Sequence, residues 1–181
     1  MLQVIYYNLY ILLSIFLIVQ QTFSQNFKIS SPDKNIELSI KVDGTISWSA
    51  SLSGNVLIKE AKIGMDFSSG EDFGVNSKVM DHTIEECSSM IYPVIPHKDA
   101  EIKDEYVQLA ITFKGQYQLK CRAYNDGVAY QFIDKNKRGK NVISEKAMFT
   151  FPEGAKSFFP QEDSMYSHNE RSYLNKFVNE I

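Results

Sequence analysis

Apolar residues alternate with polar ones along much of the chain, at the period of two that sends successive side chains to opposite faces of a strand. The clearest stretch covers residues 117–132: Tyr117, Leu119, Cys121 and Ala123 occupy alternate positions, as do Val128, Tyr130 and Phe132. Between them Asn125-Asp126-Gly127 supplies a turn, because Asx side chains bond nearby backbone amides and glycine accepts a positive φ without steric cost. The pattern predicts a hairpin. Just upstream, Val107, Leu109, Ile111 and Phe113 alternate as far as Gly115, so three consecutive strands form an antiparallel meander.

The same period recurs earlier. Ile36, Leu38, Ile40 and Val42 precede Asp43-Gly44, and Ile46, Trp48, Ala50 and Leu52 follow it, which predicts a second hairpin with one apolar face. Trp48, the sole tryptophan, alternates with Ile46 and Ala50 and is therefore assigned to the core. Val56-Leu57-Ile58 predicts a short buried strand, 62–67 another, and the Ser- and Gly-rich 68–75 a loop. Met80, Ile84 and 90–95 predict edge strands flanked by prolines. Val142-Ile143 and then 148–151 predict further strand, ended by Pro152-Glu153-Gly154. No segment beyond the leader keeps a helical period, and short strands at close spacing predict an all-β sandwich or barrel.

The first residues do not belong to that pattern. Residues 9–19 are almost wholly apolar and Thr22-Phe23-Ser24 offers small residues for cleavage, which predicts a secretory signal peptide over 1–24, although the leader holds no Lys or Arg. The apolar run falls short of the ~20 residues that span a bilayer. The expected product is exported, periplasmic or secreted, with no stable membrane insertion after cleavage, and residues 25–181 are long enough for one domain with a real core. With 19 basic against 22 acidic residues and no basic stripe, nucleic acid is not an expected partner. Cys87 and Cys121 leave two readings open: a disulfide worth roughly 3 to 4 kcal/mol, or a buried free thiol at Cys121 on an apolar face. Neither cysteine has the Cys/His spacing of a zinc site.

The stretch Arg122-Ala123-Tyr124-Asn125-Asp126-Gly127-Val128-Ala129-Tyr130-Gln131-Phe132 resembles the strand-turn-strand signature of the amino-terminal domain of glycoside hydrolase family 97, a family of exported α-glucosidases and α-galactosidases. Ser31-Pro32-Asp33-Lys34-Asn35-Ile36-Glu37-Leu38 resembles that domain's first strand, and Ile102-Lys103-Asp104-Glu105-Tyr106 the lead into a central strand. Residues 145–160, with Phe149, Phe151 and Phe158-Phe159-Pro160, are similar as well. The resemblance implies a galactose-mutarotase-like two-sheet super-sandwich, incomplete in this chain, that packs against a (β/α)₈ catalytic barrel lying outside it. The expected function is that of a non-catalytic domain shaping an α-glycosidase active site. The alternative is a stand-alone carbohydrate-binding module.

Glycoside hydrolysis needs two carboxyl groups facing each other across the scissile bond. Glu85-Glu86, Asp104-Glu105 and Glu162-Asp163 are adjacent pairs, and neighbours on a strand point to opposite faces, so no catalytic residue is assigned. The resemblance places the catalytic carboxylates in the barrel. In the tract Tyr166-Ser167-His168-Asn169-Glu170-Arg171-Ser172-Tyr173 it implies that Glu170 is a calcium ligand. Calcium takes six to eight oxygens, so the remaining ligands are expected from the catalytic domain. Tyr166 and Tyr173 are the candidates for contact with an α-glucoside or α-galactoside. His168 has no nucleophile in an elbow context, and His82 and His97 lack metal-ligand spacing.

Overall fold

The computed structural model describes residues 24–95, 98–136, 139–162, 164, 166 and 170–181, so the signal peptide expected over 1–24 lies almost wholly outside the described residues. In chain order the strands of the first half are β1 (Gln25–Ser30), β2 (Ile36–Val42), β3 (Gly44–Leu52), β4 (Asn55–Phe67), β5 (Asp72–Phe73), β6 (Val75–Ser77) and β7 (Val79–Ile91). Those of the second half are β8 (Ile102–Phe113), β9 (Tyr117–Tyr124), β10 (Val128–Asp134), β11 (Val142–Thr150), β12 (Lys156–Phe159) and β13 (Leu174–Phe177), followed by one 3₁₀ turn (Val178–Glu180).

One sheet runs β1-β2-β3-β4-β11, with β5 and β6 attached to β4 and β3, and a second runs β10-β9-β8-β7; β12 and β13 form a separate hairpin. All pairings are antiparallel. The alternation left an all-β sandwich or barrel open, and the observed fold is the antiparallel sandwich that the resemblance implied. Leu38, Ile40, Ile46, Ala61 and Ile63 from the first sheet meet Leu109, Ile111, Leu119, Cys121 and Ala123 from the second in one core. Trp48 is buried there, as its alternation required.

Three local expectations change. Val56-Leu57-Ile58 is not a separate buried strand but the start of the continuous β4, and Val56 and Leu57 are exposed because they lie at the hairpin tip beside the exposed Leu52. The 68–75 loop contains β5, whose Phe73 is 3% exposed. The scattered apolar residues of 79–91 form one long edge strand rather than several.

Phe73 completes a column of rings that closes one end of the core. Tyr117 stacks on it at 4.2 Å and 11°, and Phe113 stacks on the other side of Tyr117 at 4.7 Å and 12°. The Tyr117 hydroxyl donates to Ser77 Oγ at 2.8 Å, and burial holds its phenol above the ordinary 10.0. Lys140 lies against the same column, its Nζ 5.0 Å from the Phe73 ring centre and 2.6 Å from a Glu71 carboxylate oxygen.

At another corner two turns interlock. Ser31, fully buried, donates from Oγ to Asp33 Oδ1 at 2.5 Å and accepts from the Ile36 amide at 2.9 Å. The other Asp33 oxygen accepts from Asn35 Nδ2 at 2.8 Å. The Asp33 amide then donates to Asn125 Oδ1 at 3.0 Å, joining the β1–β2 turn to the β9–β10 turn across 92 residues of sequence. Asp33 Oδ1 also accepts from the Asn35 amide at 3.1 Å, so both Asx side chains act on backbone groups, as such side chains do in turns.

Two predictions follow from this packing. Tyr117→Ala is expected to cost about 3–5 kcal/mol in urea unfolding, the range for a large buried aromatic, whereas Tyr117→Phe keeps the ring and loses the hydroxyl with its Ser77 bond, about 1 kcal/mol. The Asp33 carboxyl is held below its ordinary 3.8, chiefly by Ser31. A depressed carboxylate stabilises the fold above its unfolded value and loses that contribution as pH falls through the lower folded value. The urea midpoints of the native chain and Asp33→Ala are accordingly expected to differ at neutral pH and to converge well below pH 3.8; a gap that persists unchanged in acid refutes the role of the charge.

Candidate functional site

The register that turns Leu119, Cys121 and Ala123 inward turns Lys120, Arg122 and Tyr124 outward. On that outer face Arg122 lies opposite Gln108 of β8, and Tyr124 opposite Tyr106. The Arg122 guanidinium is fixed in three directions. Its Nε donates to Gln108 Oε1 at 3.0 Å, its Nη1 to the Tyr124 hydroxyl at 3.1 Å, and its carbon lies 4.1 Å from the Tyr106 ring centre. The bond to Tyr124 holds the guanidinium pKa above its ordinary value, and a hydrogen bond with Cys87, reinforced by burial, holds the Tyr106 phenol above its own. This polar cluster ties β8 to β9 from outside. Sequence reading did not find it, because only cross-strand register brings residues 106, 108, 122 and 124 together; the arginine within an alternating strand was its one visible sign.

The residues singled out for chemistry are placed differently. Glu170 is exposed in the connection between β12 and β13, where Tyr166 is 100% and Tyr173 60% exposed. The same connection is braced by Arg171 Nε against Glu162 at 3.0 Å and by Lys176 Nζ donating to Gln161 at 3.2 Å. His168 and Asn169 lie outside the described residues, as do His97 and Asp163. Among the described residues no group of three His, Cys, Asp or Glu side chains converges on a point that could hold a metal. One exposed carboxylate does not make a calcium site unaided.

Glu85 and Glu86 point to opposite faces of β7, opposite Gln108 and Val107 respectively. Glu105 is taken up by Lys103 at 2.7 Å. His82 faces inward, its ring 4.9 Å from Phe27. The cysteines are both free, and the sheet explains why: Cys121 faces the core opposite Leu109, while Cys87 pairs with the outward Tyr106. Burial pushes the Cys121 thiol up to about 12, so it stays protonated and inert at neutral pH. Among the described residues the arrangement offers hydrogen-bonding and packing surfaces rather than a metal cage.

Residues 29–181 match the family described as glycosyl-hydrolase 97 N-terminal. A curated relative, the retaining α-galactosidase of Bacteroides thetaiotaomicron, is 25% identical over 170 residues, covering 94% of this chain and 25% of its own. Among solved structures, a family 97 enzyme from Pseudoalteromonas sp. strain K8 in complex with panose superposes with a TM-score of 0.61 at 20% identity, over 70% of this chain and 20% of that one. A β-arabinopyranosidase superposes with a TM-score of 0.69 at 21% identity, over 79% and 24%. The likeness to these structures shows the fold, and the chain spans about a quarter of the length of the relative it matches. The chain belongs to the glycosyl-hydrolase 97 N-terminal domain family.

Proposed function

We propose that this chain serves as the exported, non-catalytic sandwich of an α-glycosidase, packing against a (β/α)₈ catalytic domain and shaping the rim of its active site. The observation that carries the reading is the match of residues 29–181 to the N-terminal domain of the family rather than to its catalytic part. Adjacent carboxylates that diverge across β7 agree with it. The apolar leader with small residues at 22–24 supports export, with cleavage before Gln25.

Within this reading Glu170 supplies one oxygen ligand to a calcium ion whose other ligands come from the catalytic domain. Its exposure in the β12–β13 connection, beside the Glu162–Arg171 brace, leaves the carboxylate available for that contact. The substrate class is an α-linked glucoside or galactoside. A second reading, a free-standing carbohydrate-binding module, draws on the exposure of Tyr166 and Tyr173, since exposed aromatic faces stack on sugar rings.

Purified 25–181 is expected to leave chromogenic α-glucosides and α-galactosides uncleaved and to show no saturable calcorimetric binding of maltooligosaccharides or α-galactosyl oligosaccharides. Hydrolysis by this chain refutes the non-catalytic assignment, and saturable sugar binding transfers support to the second reading. In a polypeptide that joins this domain to a family catalytic domain, Glu170→Ala is expected to weaken calcium binding and the calcium dependence of hydrolysis together. Unchanged calcium affinity in that variant removes Glu170 from the metal.

A further inference from the structure

The outer face of the β1–β4 sheet departs from an ordinary solvated face. The register that turns Ile40, Ile46, Trp48 and Ala50 inward turns Ser39 of β2 and Ser47, Ser49 and Ser51 of β3 outward, with Ser39 directly opposite Ser49. Strand faces ordinarily carry β-branched or long side chains that pack across the pleat. Serines leave a trough instead. Two adjoining cavities of about 320 and 280 Å³ run along it and share Ser39, Ser49 and Lys59; one continues towards Lys41 and Ser47, the other towards Glu37 and Ser51.

Ser47 points to a ligand. It lines the first cavity and is 6% exposed, yet its hydroxyl has no hydrogen-bond partner among the described residues. Buried side-chain polar groups are ordinarily paired. The charge around the trough is unmatched in one place. Lys28 pairs with Glu37 at 2.5 Å, Lys41 with Asp43 at 2.6 Å and Lys62 with Glu60 at 3.7 Å, whereas Lys59 makes no ion pair among the described residues. A bulge brings it there. Trp48 pairs with Ala61 and Ala50 with Ile58, so Lys59 and Glu60 both oppose Ser49, and bulges re-aim side chains in this way. The trough thus offers one unmatched ammonium, a carboxylate beside it, and a row of hydroxyls that both donate and accept.

We propose that this trough binds an acidic saccharide. Lys59 holds one carboxylate of the ligand, while Ser47, Ser49, Asn26 and Glu60 take its hydroxyl groups. A dianionic group such as phosphate is repelled by Glu60 next to Lys59. The one aromatic residue bordering the first cavity, Trp48, turns its ring into the core against Tyr130 and Phe149, so a neutral sugar finds no face to stack on. Recognition falls to charge and hydrogen bonds. That the anionic ligand is a saccharide rests on the functional reading above; the buried hydroxyl and the unmatched cation do not.

The test titrates purified 25–181 with trigalacturonate, maltotriose and sodium acetate and follows backbone amide shifts by NMR. Trigalacturonate is expected to shift the amides of Ser39, Ser47, Ser49, Lys59 and Glu60 saturably, maltotriose to leave them in place, and acetate to bind about tenfold more weakly or worse. Lys59→Gln is expected to weaken trigalacturonate binding about tenfold, the worth of a charge-assisted contact. Lys114→Gln, the same change of charge at the exposed β8–β9 turn, is expected to leave it unchanged. Ser47→Ala is expected to weaken binding severalfold without lowering the urea midpoint, because a hydroxyl without a partner adds nothing to the fold; a lowered midpoint with unchanged binding makes Ser47 structural and overturns the site. The proposal fails if trigalacturonate moves none of these amides, if maltotriose binds as tightly, or if the two lysine variants bind alike. Equal affinity for acetate means an adventitious ion only. A chain that binds no acidic saccharide yet assembles with a family catalytic domain loses this inference alone. Binding without assembly supports the trough and transfers support to the free-standing module.

Discussion

Tyr117, Leu119, Cys121 and Ala123 give up nearly all contact with water against the opposing sheet, and the remaining structure is arranged around that burial. Each large apolar side chain so removed contributes about 1.5–3 kcal/mol. The geometry matters as much as the sum. A slip of one residue would exchange the two faces of β9, sending Arg122 and Lys120 into the core and Leu119 into solvent. Register is therefore fixed by burial, and from register follow the outward Arg122 cluster, the inert Cys121 and the separation of the two cysteines.

What the sequence disclosed depended on whether a residue's role was local. The alternation of 36–52 and 107–132 announced both hairpins and the inward residues, since a strand face is visible within a few positions. Phe73 was hidden because a lone aromatic in a Ser- and Gly-rich stretch has no alternating neighbours; its burial comes from Tyr117, Phe67 and Phe132. Val56 and Leu57 misled for the opposite reason: they have the composition of a buried strand but lie at a hairpin tip. The β12–β13 pairing joins residues on either side of a long polar connection, and short-range pattern cannot see it. Glu170 was legible only by resemblance, and its surroundings in this chain add exposure rather than a partner.

The stretches that carry the family resemblance turn out to be occupied with holding the fold. Ser31, Asp33 and Asn125 spend their polar atoms on turn amides and on each other, and Arg122 spends its donors on Gln108 and Tyr124. None of these groups lines a cleft with a second reactive partner. A motif can thus be specific to an enzyme family without being catalytic: joining two turns 92 residues apart demands an Asx side chain of one length at one place. The same demand holds for a guanidinium that must reach a glutamine and a tyrosine at once, which a lysine's single ammonium would not do in a plane. Such constraints hold the outer face of β8–β9 and the joined β1–β2 and β9–β10 turns to one core.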